Sequence, residues 1–315
     1  MRHSRKGLDT KMKLESLIEK ATQFDEVTVA IAAAEDEDIL EAVQAAISRE
    51  LARFLLFGNK EKIEEILEER FPNIVGNERL KIVHTPTNQL ATERAVKAVS
   101  LNEANVLMKG NVPTATLLKA VLNKDFGLRT GNVLSHVAVF EVPNFDRFIF
   151  VTDAAMNIAP DLGQKVQIIH NSVQIARRIG IERPLVAPIA AVEVVNPDMP
   201  ATTDAALLTQ MNRRGQIKDC LVDGPLALDN AISIAAAEHK GIESEVAGRA
   251  DILFVPTIEV GNALYKSLTY FANAKVGAVI AGAKAPIVLT SRADSAESKL
   301  YSLAVAICSA NHEIR

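Results

Sequence analysis

The segment Pro286-Ile-Val-Leu-Thr-Ser291-Arg292-Ala-Asp294-Ser-Ala-Glu297 holds the residue types best suited to chemistry. An apolar run from Ile287 to Thr290 reads as a buried strand, and a polar corner then leads into a helical pattern. Asp294 and Glu297 have capping-box spacing, which predicts a helix starting there. Ser291 and Arg292 then fall at a strand's carboxyl end, just ahead of a positive helix terminus, where anions and developing oxyanions are stabilised. In open α/β sheets ligands bind along this edge. A turn serine beside a surface arginine is the plain alternative.

Three further corners repeat the pattern. Leu107-Met-Lys109-Gly110-Asn-Val-Pro113-Thr114 ends a strand in a glycine-containing turn before a helix, so Lys109 and the Thr114 hydroxyl could meet a phosphate, although a solvated lysine beside a helix start is the simpler account of the bare pattern. Thr152-Asp153-Ala-Ala-Met-Asn157 places a carboxylate and an amide in a loop after a strand, either to orient a substrate or to satisfy loop amides. In Gly261-Asn262-Ala-Leu-Tyr265, the glycine permits close backbone approach, and Asn262 and Tyr265 either contact ligand or pack a helix start.

Other chemistries lack their patterns. His136, His170 and His239 show no pairing at metal-ligand spacing, so no metal site is expected. A Gly-x-Gly-x-x-Gly fingerprint and a Gly-x-Ser-x-Gly elbow are both missing. Cys220 and Cys308 are far apart in apolar surroundings and read as buried free thiols in a reducing, cytoplasmic setting.

The elements that must position these corners alternate along the chain. Strand-like runs at Val27 to Ile31, Phe54 to Phe57, Leu80 to His84 and Val106 to Lys109 are separated by helical patterns such as Asp36 to Leu51, with Ile39, Val43 and Ile47 four apart. This predicts an α/β fold with a parallel sheet and crossover helices. Val133 to Val142 and Arg147 to Thr152 are close enough to form an antiparallel hairpin. Further βα units run through Val222, Ile252 to Val255 and Val276 to Ile280, before a last strand at Ile287 to Thr290 and a last helix from Ser295 to Ala310.

At 315 residues, 48% of them hydrophobic, the chain can bury two cores. The expected division is a first α/β domain of residues 12–132 plus 287–315 and a second of 133–286, with residues 1–11 a basic leader outside the fold. A net charge of -4 without a basic stripe argues against nucleic acid as a partner. No apolar run is long enough for a bilayer-spanning helix, so no membrane partner is expected.

Several of these stretches together resemble the phosphate acetyl/butyryl transferase family over 12–310. They are Leu107-Met-Lys-Gly, Thr152-Asp-Ala-Ala-Met-Asn-Ile-Ala-Pro, Val192-Glu-Val-Val-Asn-Pro-Asp-Met-Pro-Ala-Thr-Thr-Asp, Val222-Asp-Gly-Pro-Leu-Ala-Leu-Asp-Asn-Ala-Ile, Gly261-Asn-Ala-Leu-Tyr-Lys and Pro286-Ile-Val-Leu-Thr-Ser-Arg-Ala-Asp-Ser. Glu193 to Asp204 and the Thr290-Ser-Arg-Ala-Asp-Ser ending are similar to the butyryl branch. The resemblance implies a two-domain, three-layer αβα subunit like isocitrate and isopropylmalate dehydrogenases, with its active site in the interdomain cleft. It implies reversible transfer of a short acyl group, butyryl or branched-chain, between coenzyme A and inorganic phosphate. Coenzyme A is then a substrate, no cofactor is permanently bound, and the subunit forms a homodimer or larger homo-oligomer.

By the same resemblance Ser291 and Arg292 are catalytic, while relatives carry an Asp seven residues after the Ser where this chain has Ser298. Glu297, next to that position, is carried as a candidate base. Alternatives are a phosphate acetyltransferase, a decarboxylating hydroxyacid dehydrogenase on the related fold, and a non-catalytic acyl-CoA-binding protein.

Overall fold

The computed structural model describes residues 12–24, 27–289 and 294–310. Among the described residues eleven strands form one sheet: β1 (Thr28–Ala32), β2 (Arg53–Gly58), β3 (Leu80–His84), β4 (Val106–Lys109), β5 (Ser135–Glu141), β6 (Ile149–Thr152), β7 (Leu185–Pro188), β8 (Leu221–Val222), β9 (Ile252–Phe254), β10 (Lys275–Ala281) and β11 (Ile287–Val288). Their order across the sheet is β3-β2-β1-β4-β11-β10-β5-β6-β9-β7-β8. The outer strands on each side pair in parallel, as crossover connections require. In the middle, β10 is antiparallel to both β11 and β5, and β5 is antiparallel to β6. The expected β5–β6 hairpin is present, with Ala138 opposite Val151. The sheet is mixed rather than parallel throughout, because β5 is inserted between β10 and β6 and β11 follows β10 through a short turn. Hydrophobic period marks strands and crossovers but not which strands become neighbours.

Local sequence explains where the helices start and stop. Helix α2 (Glu37–Ser48) begins where the Asp36 side chain accepts from the Ile39 amide at 3.2 Å, and it buries Ile39, Val43 and Ile47 along one stripe. Helix α6 (Leu162–Ile179) starts with a reciprocal capping box between Asp161 and Gln164 and stops at Gly180, whose φ of 118° suits a glycine. Helix α11 (Ala296–Ser309) buries ten of its fourteen side chains, so it is an interior helix, packed on β10, α1 (Leu14–Ala21), α2 and α6. Its N-cap is Ser295, whose hydroxyl accepts from the Ser298 amide at 3.1 Å. The expected Asp294–Glu297 capping box is therefore displaced by one residue, and a serine closes the turn.

The core is arranged in layers, as the family resemblance implied. On one face of the sheet a single cluster runs from Val29 and Phe54 through Val106, Val137 and Phe150 to Val186. On the other face there are two clusters. One packs Ala30, Leu107, Ile280 and Ile287 beneath α4 (Asn88–Ser100) and α5 (Thr114–Val121). The second packs Ala138, Phe140, Val151 and Leu253 beneath α8 (Leu228–Ile232), α9 (Ile234–His239) and α10 (Ile258–Tyr270). Fully buried Phe54, Phe140, Phe148 and Phe150 each contribute about 1.5–3 kcal/mol of burial to these layers. Strand alternation places His136 on the face of Ala138 and Phe140, directly opposite Ile280, where the two clusters meet.

Candidate active site

Two polar groupings lie at the carboxyl ends of β4 and β6. The first is at the carboxyl end of β4. Gly110 lets the turn pass against the end of β1: its amide donates to the Ala32 carbonyl at 2.9 Å, and any Cβ would land on the carbonyls of Ala32 and Ala33. The chain then enters α5 through Pro113, which supplies no side-chain cap, so the first amides of that helix face outward beside exposed Thr114. Lys109, Gly110, Thr114, Asp36, Asp38 and Lys299 line a cavity of about 280 Å³ at this corner. Lys109 Nζ donates to the Gly110 carbonyl at 3.1 Å. Lys299 arrives from α11 only 3% exposed, with Nζ 3.7 Å from Asp38 Oδ2. A buried ammonium needs such a partner to offset the loss of hydration.

The second grouping begins after β6. The Asp153 carboxylate, 3% exposed, accepts from the amides of Ala155 at 2.8 Å and Met156 at 2.9 Å through Oδ1. Asn157 Nδ2 donates to its Oδ2 at 2.6 Å and to the Leu134 carbonyl at 2.8 Å. These bonds fix the loop and turn Met156 onto the α5-side cluster. At the start of α10, Gly261 admits the loop, since a Cβ there would fall on the Asp153 carbonyl oxygen. Helix α10 thereby brings Tyr265 over β5. Its ring meets His136 edge-on, with centroids 5.9 Å apart, and Phe140 at 5.2 Å.

Burial pushes the Tyr265 phenol up to about 12, with Asp294 adding to the effect, so the hydroxyl stays protonated at neutral pH. Half-buried His136 is held below the usual histidine value by desolvation, against the opposing pull of Asp153 and Asp294. Its Nδ1 is buried without a hydrogen-bond partner among the described residues.

The residues singled out from sequence therefore separate into groups. Lys109 and Thr114 share the β4–α5 cavity. Asp153 and Asn157 are hydrogen-bonded to each other, and Tyr265 lies beside them across His136. Asn262 is exposed on α10. Ser291 and Arg292 lie outside the described residues, between Leu289, which packs on the α5-side cluster, and Asp294. Glu297 accepts from Lys275 Nζ at 2.8 Å and from the Tyr301 hydroxyl at 2.8 Å, and the lysine holds its carboxyl below the ordinary value. Ser298 donates its amide to the cap of α11.

Sequence reasoning missed Lys299 and His136. Lys299 carried one signal, a cation inside an otherwise apolar helical run. His136 was weighed only as a metal ligand, and its neighbours come from β6, α10 and the α11 approach, which no local spacing reveals. Among the described residues, no three His, Cys, Asp or Glu side chains converge as a metal cluster, and no helix is long and apolar enough to cross a membrane.

Residues 76–307 match the family described as Phosphate acetyl/butaryl transferase. The chain is 57% identical over 297 residues to the probable phosphate butyryltransferase of Bacillus subtilis, covering 94% of this chain and 98% of that one. It is 50% identical to the phosphate butyryltransferase of Clostridium acetobutylicum, covering 92% and 95% respectively. Among solved structures, a branched-chain phosphotransacylase from Enterococcus faecalis superposes with a TM-score of 0.81 at 38% identity, over 91% of this chain and all of that one. A putative 4-hydroxythreonine-4-phosphate dehydrogenase from Salmonella typhimurium shares the fold alone, with a TM-score of 0.56 at 14% identity over 90% of this chain and 100% of that chain. The dehydrogenase-like architecture expected from sequence is thus present.

Proposed function

The chain belongs to the phosphate acetyl/butyryl transferase family, and from that membership we propose that its acyl group is butyryl or a branched short chain. The reaction is acyl-CoA plus phosphate giving acyl phosphate plus CoA, in both directions. The observation that carries the chain-length reading is the likeness to phosphate butyryltransferases over more than nine-tenths of the sequence.

In the proposed arrangement phosphate, or the phosphoryl end of the acyl phosphate, occupies the β4–α5 cavity. Lys109, Lys299 and the uncapped amides of α5 neutralise it, while Thr114 offers a hydroxyl. Asp36 and Asp38 line the same cavity, but Asp36 is committed to capping α2 and Asp38 faces Lys299. The acyl-thiol end lies along the sheet face toward β5. Leu107 pairs with Ile287, Ile287 with Ile280 and Ile280 with His136, so β4 and β5 are three strand spacings apart, roughly 14 Å between backbones.

Ser291 and Arg292 are proposed as the groups at the reacting carbonyl, the serine holding the thiol or carbonyl oxygen and the arginine the phosphate. This rests on their sequence position three and two residues before Asp294, which lies close enough to influence Tyr265 and His136. Transfer is direct within a ternary complex, with orientation and oxyanion stabilisation supplying the rate. Asp153 and Asn157 hold the loop beneath the thiol end, Tyr265 walls it, and Asn262 meets the CoA chain from exposed α10.

We further propose the division into residues 12–132 plus 287–315 and residues 133–286, with this cleft between them. A homodimer or larger assembly is supported by α10, whose end leaves Tyr270 71% and Phe271 87% exposed. A cytoplasmic location is supported by the buried free thiols Cys220 and Cys308, both pushed up to about 12 by burial.

The test is phosphate-dependent CoA release from acetyl-, propionyl-, butyryl- and isobutyryl-CoA, repeated with Ser291→Ala and Arg292→Ala. Fastest turnover of the four-carbon thioesters and at least a hundredfold loss in both variants are expected. Full activity in both variants would remove them from the site.

A further inference from the structure

We propose that His136 is the base that takes the proton from the CoA thiol as the thiol attacks the acyl phosphate. The proposal rests on the reaction assigned above and adds to it the residue that performs the proton transfer.

Four observations lead to this imidazole. It stands near the start of β5, opposite Ile280, at the place where the clusters beneath α5 and α10 meet. Its Nδ1 is buried with no partner among the described residues. A phenyl ring would satisfy this setting against Tyr265 and Phe140 without the cost of an unpaired buried nitrogen, so packing alone does not explain the residue. The backbone beneath the ring is held by the Thr152 hydroxyl, which donates to the His136 carbonyl at 2.8 Å, and Tyr265 packs edge-on against the ring itself.

Its electrostatic surroundings suit a proton acceptor. Asp153, from the loop after β6, and Asp294, ahead of α11, both favour the charged ring, so the imidazolium formed by proton transfer is stabilised by fixed carboxylates. Burial nevertheless keeps the resting ring neutral and able to accept. From α10, Tyr265 remains a neutral phenol, and Lys266 Nζ lies over the Tyr265 ring at 5.4 Å. Two of the carboxylates on the approach have fixed duties. Asp153 already accepts from three donors, and Glu297 is bound to Lys275 and Tyr301.

The step balances within the reactants. The S–H proton moves to a ring nitrogen as sulfur forms its bond to the acyl carbon. The tetrahedral oxyanion collapses, the carbon–oxygen bond to the phosphoryl group breaks, and phosphate leaves with that electron pair. The imidazolium then returns its proton to phosphate or water. In the opposite direction the same imidazolium protonates the departing thiolate.

The experiment follows kcat/KM for CoA with butyryl phosphate from pH 5 to 9 in the wild type, His136→Gln and His136→Phe, with folding of each checked by thermal melting. In the wild type, activity is expected to fall tenfold per pH unit below a midpoint lying under about 6.5. Both variants should lose roughly 10²- to 10⁴-fold at pH 7. Their remaining activity should climb with pH as free CoA ionises near a thiol pKa of about 8.5, so that the deficit narrows. His136→Phe should melt no lower than the wild type, which separates the chemical loss from misfolding. A pH-independent loss, a loss under fivefold, or a wild-type midpoint near 4, where a carboxylate base would put it, would overturn the assignment. A wild-type enzyme inert toward butyryl phosphate would remove both readings, whereas an active wild type with an unchanged His136→Gln profile removes the histidine alone.

Discussion

The rings of His136 and Tyr265 meet edge to face, their planes at 63° and their centroids 5.9 Å apart, which couples α10 to the central strand β5. Tyr265→Phe preserves this contact and should change stability by less than about 1 kcal/mol. Tyr265→Ala removes the contact with both His136 and Phe140 and should cost about 2 kcal/mol, below the range for a fully buried aromatic because Tyr265 is only half-buried. Urea denaturation measures both, and the alanine variant should also lose turnover through a loosened imidazole.

Gly261 allows α10 to rest on the loop that begins at Asp153. Gly261→Ala forces the two backbones apart and should destabilise the protein by about 1–3 kcal/mol. If the loop positions the acyl end, kcat should fall more than the KM for phosphate.

The β4–α5 cavity makes predictions of opposite sign. Lys299→Met removes a cation and should raise the KM for phosphate about tenfold, whereas Asp38→Asn removes a competing carboxylate and should lower it. Asp38 is itself more than half exposed, but it faces the buried Lys299 ammonium, so Asp38→Asn should also lower stability. Steady-state kinetics with phosphate varied at saturating butyryl-CoA distinguishes the two.

Stability should depend on pH through His136. Its folded value lies below the unfolded value of about 6.5, so between the two the unfolded chain binds more protons and stability rises with pH. The loss appears as pH falls below about 6.5 and stops growing below the folded value. Glu297 behaves as a paired carboxylate: its contribution is present above the ordinary carboxyl value of 4.5 and is lost as pH falls through its depressed folded value. Melting curves from pH 4 to 8 should be flatter near pH 6 for His136→Phe and flatter at the acid end for Glu297→Gln. Because Lys275 and Tyr301 already engage that carboxylate, Glu297→Gln should retain activity within about threefold.

Much of the scaffold was legible in the sequence because its signals are local. The apolar runs of β1 to β4, the Ile39-Val43-Ile47 stripe of α2 and the Asp161 cap of α6 each follow from a few adjacent residues. The corners bearing Lys109 and Asp153 were legible for the same reason, as strand ends that turn polar. The antiparallel placement of β10 was not, since it depends on where β5 inserts. The displaced cap of α11 turned on one residue, with Ser295 and Asp294 both competent to cap. The partners of His136 come from positions 153, 265 and 294, and the neighbours of Lys299 from positions 36, 38 and 109, so neither grouping leaves a contiguous motif.

The most direct measurement of the central claim is product formation from butyryl-CoA with and without inorganic phosphate, with CoA and butyryl phosphate quantified in the same reaction. Equal amounts of the two products, none without phosphate, and kcat/KM at least tenfold above that for acetyl-CoA are expected. CoA release that continues without phosphate, or that yields free butyrate in place of butyryl phosphate, would contradict it.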